Sequence, residues 1–194
     1  MRNLRSPIRR LALLVACLGV LGSCGSMGPT KFTNPKIDFS FVERVAVLPF
    51  ENYSNDTAAA ARVTRLMVTE LLATGAVDVV EPGEVNAATV KFGTSRAQRP
   101  STEQIVELGK TLGVQAVLAG AVLQSEVLRS GSAGVPTVTV DAQLIETESG
   151  AIIWAGTHTE KGSVASARLL GNEGEPLSVT TRRCVQKLVE TLLQ

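Results

Sequence analysis

"RVAVLPFENYSNDTAAAARVTRLMVTELLATG", residues 44–75, changes its period midway, and that change decides the fold. Val45-Ala46-Val47-Leu48 is a continuous apolar run of strand length, ended by Pro49 and the polar "ENYSND". From Thr57 the spacing becomes helical: Ala60, Val63, Met67 and Leu71 recur three or four apart, with Leu66 alongside, and Gly75 stops the run. Asn55 or Asp56 can cap the free amides at the helix start. Val77 to Val80 then forms a short apolar strand. A buried strand, an amphipathic helix and a second strand in this order make a crossover unit, which requires a sheet with parallel neighbours.

Downstream the pattern turns antiparallel. Pro82 opens a short helix ended by Gly93, and "GTSRAQRP" is a loop. Ser101-Thr102-Glu103-Gln104 reads as a capping box ahead of a helix with Ile105, Leu108 and Leu112 on one face and Gly113 as its stop. "VQAVLAGAVLQSEVL" is a buried strand and "RSGSAG" a flexible turn. Thr137 to Glu146 alternates, with Val138, Val140, Ala142 and Leu144 on one face, and Thr147-Glu148-Ser149-Gly150 turns it into "AIIWAGTHT". After the long loop "EKGSVASARLLGNEGEP", a closing helix "SVTTRRCVQKLVETLL" places Val185, Leu188, Val189 and Leu192 inward. The expectation is one α/β (α+β) domain over residues 37–194. Its mixed sheet has about five strands in the order β-α-β-α-α-β-β-β-α, with helices packed on it.

Upstream, "KIDFSF" alternates at Ile37, Phe39 and Phe41 and predicts an extended arm or edge strand. Phe32, Phe39 and Phe41 on such an arm are candidates for contact with a neighbouring subunit. "GSMGPTKFTNPK", residues 25–36, reads as a short tether without periodicity. Ahead of it, Arg2, Arg5, Arg9 and Arg10 precede an apolar run from Leu11 to Val20, then small residues ending in Leu21-Gly22-Ser23-Cys24. The 13 residues from Leu11 to Ser23 are too few for a spanning helix of roughly 20. They have the plan of a signal peptide, and the final four resemble the bacterial lipobox. That resemblance implies cleavage between Ser23 and Cys24 and acylation of Cys24, which divides the chain into a signal (1–23), a lipidated tether (24–36) and the domain. More than one acyl chain makes such an anchor stable.

Without residues 1–23 the chain keeps 171 of 194 residues, and 19 basic against 18 acidic residues become 15 against 18, a net charge of about −3. No basic stripe points to nucleic acid. With Cys17 removed and Cys24 acylated, Cys184 has no intramolecular partner, so stability rests on the core. His158 is the single histidine. A Cys184–His158 couple is the best nucleophile–base candidate, yet Cys184 sits on a helix beside the apolar face, where an inert thiol is the plainer reading. One histidine and one usable cysteine cannot build a structural zinc site, and "SGSAG" lacks the lysine of a phosphate loop. No cofactor, metal or catalytic residue is therefore read. Asn52-Tyr53-Ser54 and Asn55-Asp56-Thr57 fit the glycosylation pattern but read as turn and cap chemistry. Trp154 reads as a core aromatic on a hairpin strand, with a surface contact as the other reading.

"RVAVLPFENYSND", "VTRLMVTELLATGAVDVVEP", "IVELGKTLGVQAVLAGAV" and "VDAQLIETESGAIIWAG" together resemble a group of bacterial lipoproteins. The group includes the curli secretion component CsgG, the exopolysaccharide export protein PelC and the penicillin-binding-protein activator LpoB. The resemblance covers most of residues 43–157. It implies a CsgG-like domain anchored at the outer membrane and facing the periplasm, working as a homo-oligomer or on an envelope partner rather than by catalysis. In this group Asp after the lipidated Cys signals inner-membrane retention, and Gly25 stands there. The chain has no insertions to supply spanning hairpins, each strand of which needs ~9–11 residues, which argues against a barrel-forming pore. Nor does it carry the long Pro-rich tether of the activator. Size and layout are most similar to the export member, so an export accessory is the first expectation and a synthase activator the second. The loop at 160–176 is a candidate place for partner contact.

Overall fold

The computed structural model describes residues 28–37, 39–92, 100–130, 133–163 and 175–193, and the statements below concern those residues. Seven strands and four α-helices follow in the order β1 (Thr30–Thr33), β2 (Arg44–Val47), β3 (Glu51–Asn52), α1 (Ala59–Thr74), β4 (Asp78–Val79), α2 (Pro82–Lys91), α3 (Thr102–Leu112), β5 (Ala116–Ser130), β6 (Ala133–Glu146), β7 (Ile152–Lys161) and α4 (Leu177–Leu192). All seven strands join one sheet, ordered β1-β7-β6-β5-β2-β4, with β3 also on β5. The mixed sheet and helix order match the expected fold class, with β1 and β3 as additional strands.

The crossover behaves as its sequence demands. β2 lies parallel to β4 on one side, Val45 opposite Val79, and parallel to β5 on the other, Ala46 opposite Val117. Its continuous apolar run is needed because both faces are covered. Val45 and Val47 face α1 and α4, in a core with Met67, Leu71, Leu118, Leu144, Trp154 and Leu188. Ala46 and Leu48 face α2 and α3, with Val85, Ile105, Leu108 and Val117. This second layer covers the β2–β5 side of the sheet, while Thr157 and Thr159 on β7 stay exposed.

Helix ends follow local chemistry. Gly75 (φ 63°) and Gly113 (φ 61°) close α1 and α3 in the left-handed conformation that glycine adopts freely. The capping box forms: the Gln104 amide donates to Ser101 Oγ (3.3 Å) and the Ser101 amide to Gln104 Oε1 (2.8 Å). At α1, Asp56 Oδ1 accepts from the Ala58 amide (3.1 Å), a turn ahead of the helix proper. α2 starts at Pro82 as expected; Gly93, its expected stop, falls outside the described residues.

Two expectations about the N-terminal segment change. Thr30–Thr33, inside the stretch read as tether, is an antiparallel edge strand, Thr30 opposite Thr157 and Thr33 opposite Trp154. The Gly and Pro around it mask three residues of good strand propensity, Thr30, Phe32 and Thr33. Conversely, Phe39–Phe41 is not a strand but a single 3-10 turn, closed by the Val42 amide on the Phe39 carbonyl (2.9 Å). In a strand residues two apart would share a face; the tight turn instead directs Phe39 inward against the core and Phe41 outward.

The β5–β6 hairpin is longer than expected. β6 begins at Ala133 rather than Thr137, and the ladder runs from Ala116 opposite Glu146 to Ser130 opposite Ala133. A bulge leaves Leu123 as the extra, exposed residue. β7 reaches only Lys161, opposite Thr137, so the last residues of β5 and the first of β6 project without a third strand among the described residues. The strand read as wholly buried is therefore buried only in its first half.

Candidate interaction surfaces

The conceivable nucleophile is disarmed by its place in the core. Cys184 on α4 is fully buried, and its Sγ donates to the backbone carbonyls of His158 (3.5 Å) and Val138 (3.7 Å). Burial pushes the thiol up to about 12, so no thiolate is present at neutral pH. The imidazole points elsewhere: His158 Nε2 meets Glu160 Oε2 at 2.9 Å. Lys187 Nζ reaches the same oxygen (2.7 Å), and Arg183 Nε lies 3.3 Å from Glu160 Oε1. Burial raises the Glu160 carboxyl, but the hydrogen bonds from Lys187 and His158 and the charges of Lys187 and Arg183 outweigh it, so the carboxyl titrates below its ordinary value. This group is a clamp between β7 and α4. Among the described residues no group of His, Cys, Asp and Glu could hold a metal ion, and no helix is long and apolar enough to cross a membrane.

The turn "ENYSND" is wired from within. Asn52 Nδ2 donates to the Asp56 carbonyl (2.8 Å), and Asn52 Oδ1 accepts from the Ser54 amide (3.1 Å). Asp56 pairs with Arg62 and accepts from Ser125 Oγ (3.1 Å). The Arg62 hydrogen bond, opposed by burial, keeps the Asp56 carboxyl below its ordinary value. Asn52 thus serves as turn chemistry. Beside the turn, where β2 and β3 end and α1 begins, a groove of about 610 Å³ is lined by Pro49, Phe50, Tyr53, Thr57, Thr64 and Arg65. Phe50 is fixed there by its amide on Thr64 Oγ1 (3.0 Å).

The contact candidates separate. Phe41 and Phe32 are exposed on different elements, the 3-10 turn and β1. Phe39 closes an apolar cavity of about 320 Å³ with Val42, Leu71, Leu118, Leu144 and Leu192. Trp154 is 2% exposed and belongs to the core, as its position on the hairpin strand implied, so it offers no surface contact. Ser23 and Cys24 lie outside the described residues. Of the loop at 160–176, Glu160 and Lys161 continue β7, and residues 164–174 lie outside the described residues. The surface that sequence reasoning missed is the hairpin end. Its signal was apolar Val127 and Leu128 side by side, where a half-buried strand alternates.

No curated protein sequence matches the chain. Among solved structures, the PelC dodecamer from Paraburkholderia phytofirmans is similar at 22% identity and TM-score 0.59, covering 84% of this chain and 95% of that one. Lipoprotein GNA1162 from Neisseria meningitidis is similar at 18% identity and TM-score 0.54, covering 78% and 98%. LpoB from E. coli shares 19% identity at TM-score 0.50, over 61% of this chain and 57% of that one. The resemblance drawn from the sequence to lipoproteins including PelC and LpoB holds for the fold. A family model, peptidoglycan-synthase activator LpoB, matches residues 33–159. That match spans well over half of the sequence, and the chain belongs to the peptidoglycan-synthase activator LpoB family.

Proposed function

We propose that the chain is a non-enzymatic lipoprotein, acylated at Cys24, that works from the periplasmic side of the outer membrane as a ring-forming accessory of an export apparatus of the exopolysaccharide or curli type. The observation that carries this reading is the tether. β1 pins the chain into the sheet at Thr30, so only Gly25 to Pro29 separate the anchor from the domain. Six residue steps reach at most about 20 Å, which holds the domain against its membrane. Such a tether suits a component built around a membrane export site better than one that reaches across the periplasm. The fold shared with the PelC dodecamer, over 95% of that chain, supports a ring of identical copies. Gly25 after the acylated cysteine supports outer-membrane delivery.

Light scattering and native mass measurement of the lipidated mature chain, in detergent and in nanodiscs, test it. A discrete ring-sized oligomer is expected, and a monomer at micromolar concentration in both overturns it. Cys24→Ser is expected to move the protein from the membrane fraction to the periplasm. The second reading, an activator docked on a penicillin-binding protein, is favoured by the family match. It falls if the purified chain neither binds nor stimulates a peptidoglycan synthase.

A further inference from the structure

The hairpin end lies at the end of the sheet toward which the chain leads back from Thr30. Beyond Lys161, which lies opposite Thr137, the Gly162 amide still reaches the Pro136 carbonyl (2.7 Å), and among the described residues no strand lies beside the rest of the β5–β6 hairpin. On this overhang Val127 is 54% exposed and Leu128 41%. Val127 pairs with Pro136 on one face and Leu128 with Val135 on the other. Among the described residues Pro136 is buried beside Gly162, while Val127 and Leu128 stay exposed and Val135 half-buried, so the ribbon presents apolar side chains on both faces and suits an outside partner. Arg129 and Lys161 are exposed beside it, and Val179 in the first turn of α4 adds an exposed apolar side chain at the same end.

The chain length outside the described residues identifies that partner. β1 runs antiparallel to β7, so the leader leaves Thr30 in the direction in which β7 runs toward Lys161. Cys24 lies six residues before Thr30, and Ser163 lies six residues after its partner Thr157. Continuing the β6–β7 register past Lys161 and Thr137 puts Ser163 level with Val135, and so with Leu128. Even a fully extended leader therefore carries the Cys24 backbone, from which the acyl chains depart, no further along the strand axis than Leu128. With the sheet upright on the membrane, an anchored domain must have its hairpin end in contact with lipid.

We propose that the end of the β5–β6 hairpin, through Val127, Leu128 and Val135, seats in the headgroup zone of the membrane that carries the anchor. This rests on acylation at Cys24. The overhang from Val127 to Ser130 is four residues, about 13 Å at ~3.3 Å per residue. That suits an interfacial depth of ~5–10 Å and falls short of the ~9–11 residues a spanning strand needs. Arg129 and Lys161 would meet lipid phosphates at the rim.

The protein offers a clean labelling chemistry. Cys17 leaves with the signal, Cys24 is acylated, and Cys184 is buried with its thiol held protonated. The lipidated full-length product carrying Leu128→Cys or, as a control on α2, Val90→Cys is labelled with an environment-sensitive fluorophore. It is then reconstituted into phosphatidylethanolamine–phosphatidylglycerol vesicles with or without nitroxide-bearing acyl chains. Flotation with the vesicles checks the anchor itself; a protein that does not float refutes acylation, and with it the premise. In floating protein, the label at 128 is expected to shift blue and to be quenched by the lipid nitroxide severalfold more than the label at 90. Equal access of both labels to aqueous iodide overturns the proposal. So does a blue shift at 128 without lipid quenching, because a second copy of the chain then covers the hairpin.

Discussion

Gly120, the fifth residue of β5, is where the crossover half of the fold meets the antiparallel half. A Cβ built there would fall on the carbonyl oxygen of Asp141 and 2.5 Å from Cε1 of Phe50. Glycine in a strand interior weakens the strand by roughly 0.5–1 kcal/mol, so alanine recovers about that much from intrinsic preference. The opposing term is larger. Overpacking a well-filled site costs about 1–3 kcal/mol, and here one obstacle is backbone locked in the β5–β6 ladder. The other is a ring whose own amide is held by Thr64. Gly120→Ala is therefore expected to lose about 1–2 kcal/mol net. In a domain of this length that lowers Tm by about 2–8 °C, at roughly 2–4 °C per kcal/mol. Urea unfolding followed by Trp154 fluorescence and a calorimetric Tm measure it. Adding Phe50→Leu should restore only part of the loss, because the Asp141 carbonyl does not move. An unchanged or higher Tm for Gly120→Ala would refute the close approach and the placement of Phe50 over β5.

The remaining predictions concern single devices. Ser101→Ala removes half of the capping box on α3 and is expected to cost about 1 kcal/mol in urea unfolding; a loss below a few tenths means the box is idle. Cys184 should ignore a disulfide reagent in the native protein and react fully in denaturant, since its thiol is buried and raised to about 12; rapid stoichiometric reaction without denaturant contradicts that. Glu160 titrates lower folded than its ordinary 4.5. Its contribution to stability is therefore complete above pH 4.5 and disappears as pH falls through the lower folded value. Glu160→Gln should be less stable than the parent at pH 7, and the gap in urea midpoint should close as the pH falls below 4.5. A gap that stays constant between pH 7 and pH 3 rules out the clamp as its origin.

The sequence disclosed most where one residue pattern admitted one structure. The change of period across residues 44–75, the capping box at Ser101 and Gln104, and the left-handed stops at Gly75 and Gly113 are local devices, and each stands where its chemistry put it. It disclosed less where a segment takes its structure from a distant partner. Thr30–Thr33 is a strand only because β7 offers an edge one hundred and more residues away. Phe39–Phe41 shows the reverse, since spacing by two reads as one strand face while three residues are too few to carry a helical period that would reveal the turn. Chemistry was legible as type rather than as geometry. A lone histidine and a lone cysteine implied no catalytic pair. Only coordinates show that Cys184 meets the backbone of His158, whose imidazole serves the Glu160 clamp instead.

With the anchor reading, the register also gives the two ends of the sheet different neighbours. β2 and β5 run parallel, so the groove at Phe50 and Tyr53 opens toward the same end as the hairpin, and Glu51 lies opposite Ala121, level with Thr30. An anchored domain carries that groove on its membrane-proximal flank, within reach of whatever occupies the membrane beside it. At the far end stand the Thr147–Gly150 turn, the exposed Phe41 and Leu193 just after α4, the features available to a partner in the periplasm. A substitution at Phe41 and one at Tyr53 should therefore affect different partners. Phe41→Ser is expected to weaken contacts with soluble periplasmic proteins and to leave membrane association intact. Tyr53→Ser is expected to alter only complexes recovered with the membrane. Crosslinking in whole envelopes from placed photoreactive residues reads both, and a single shared adduct from the two positions would mean that the sheet does not stand with its hairpin toward the membrane.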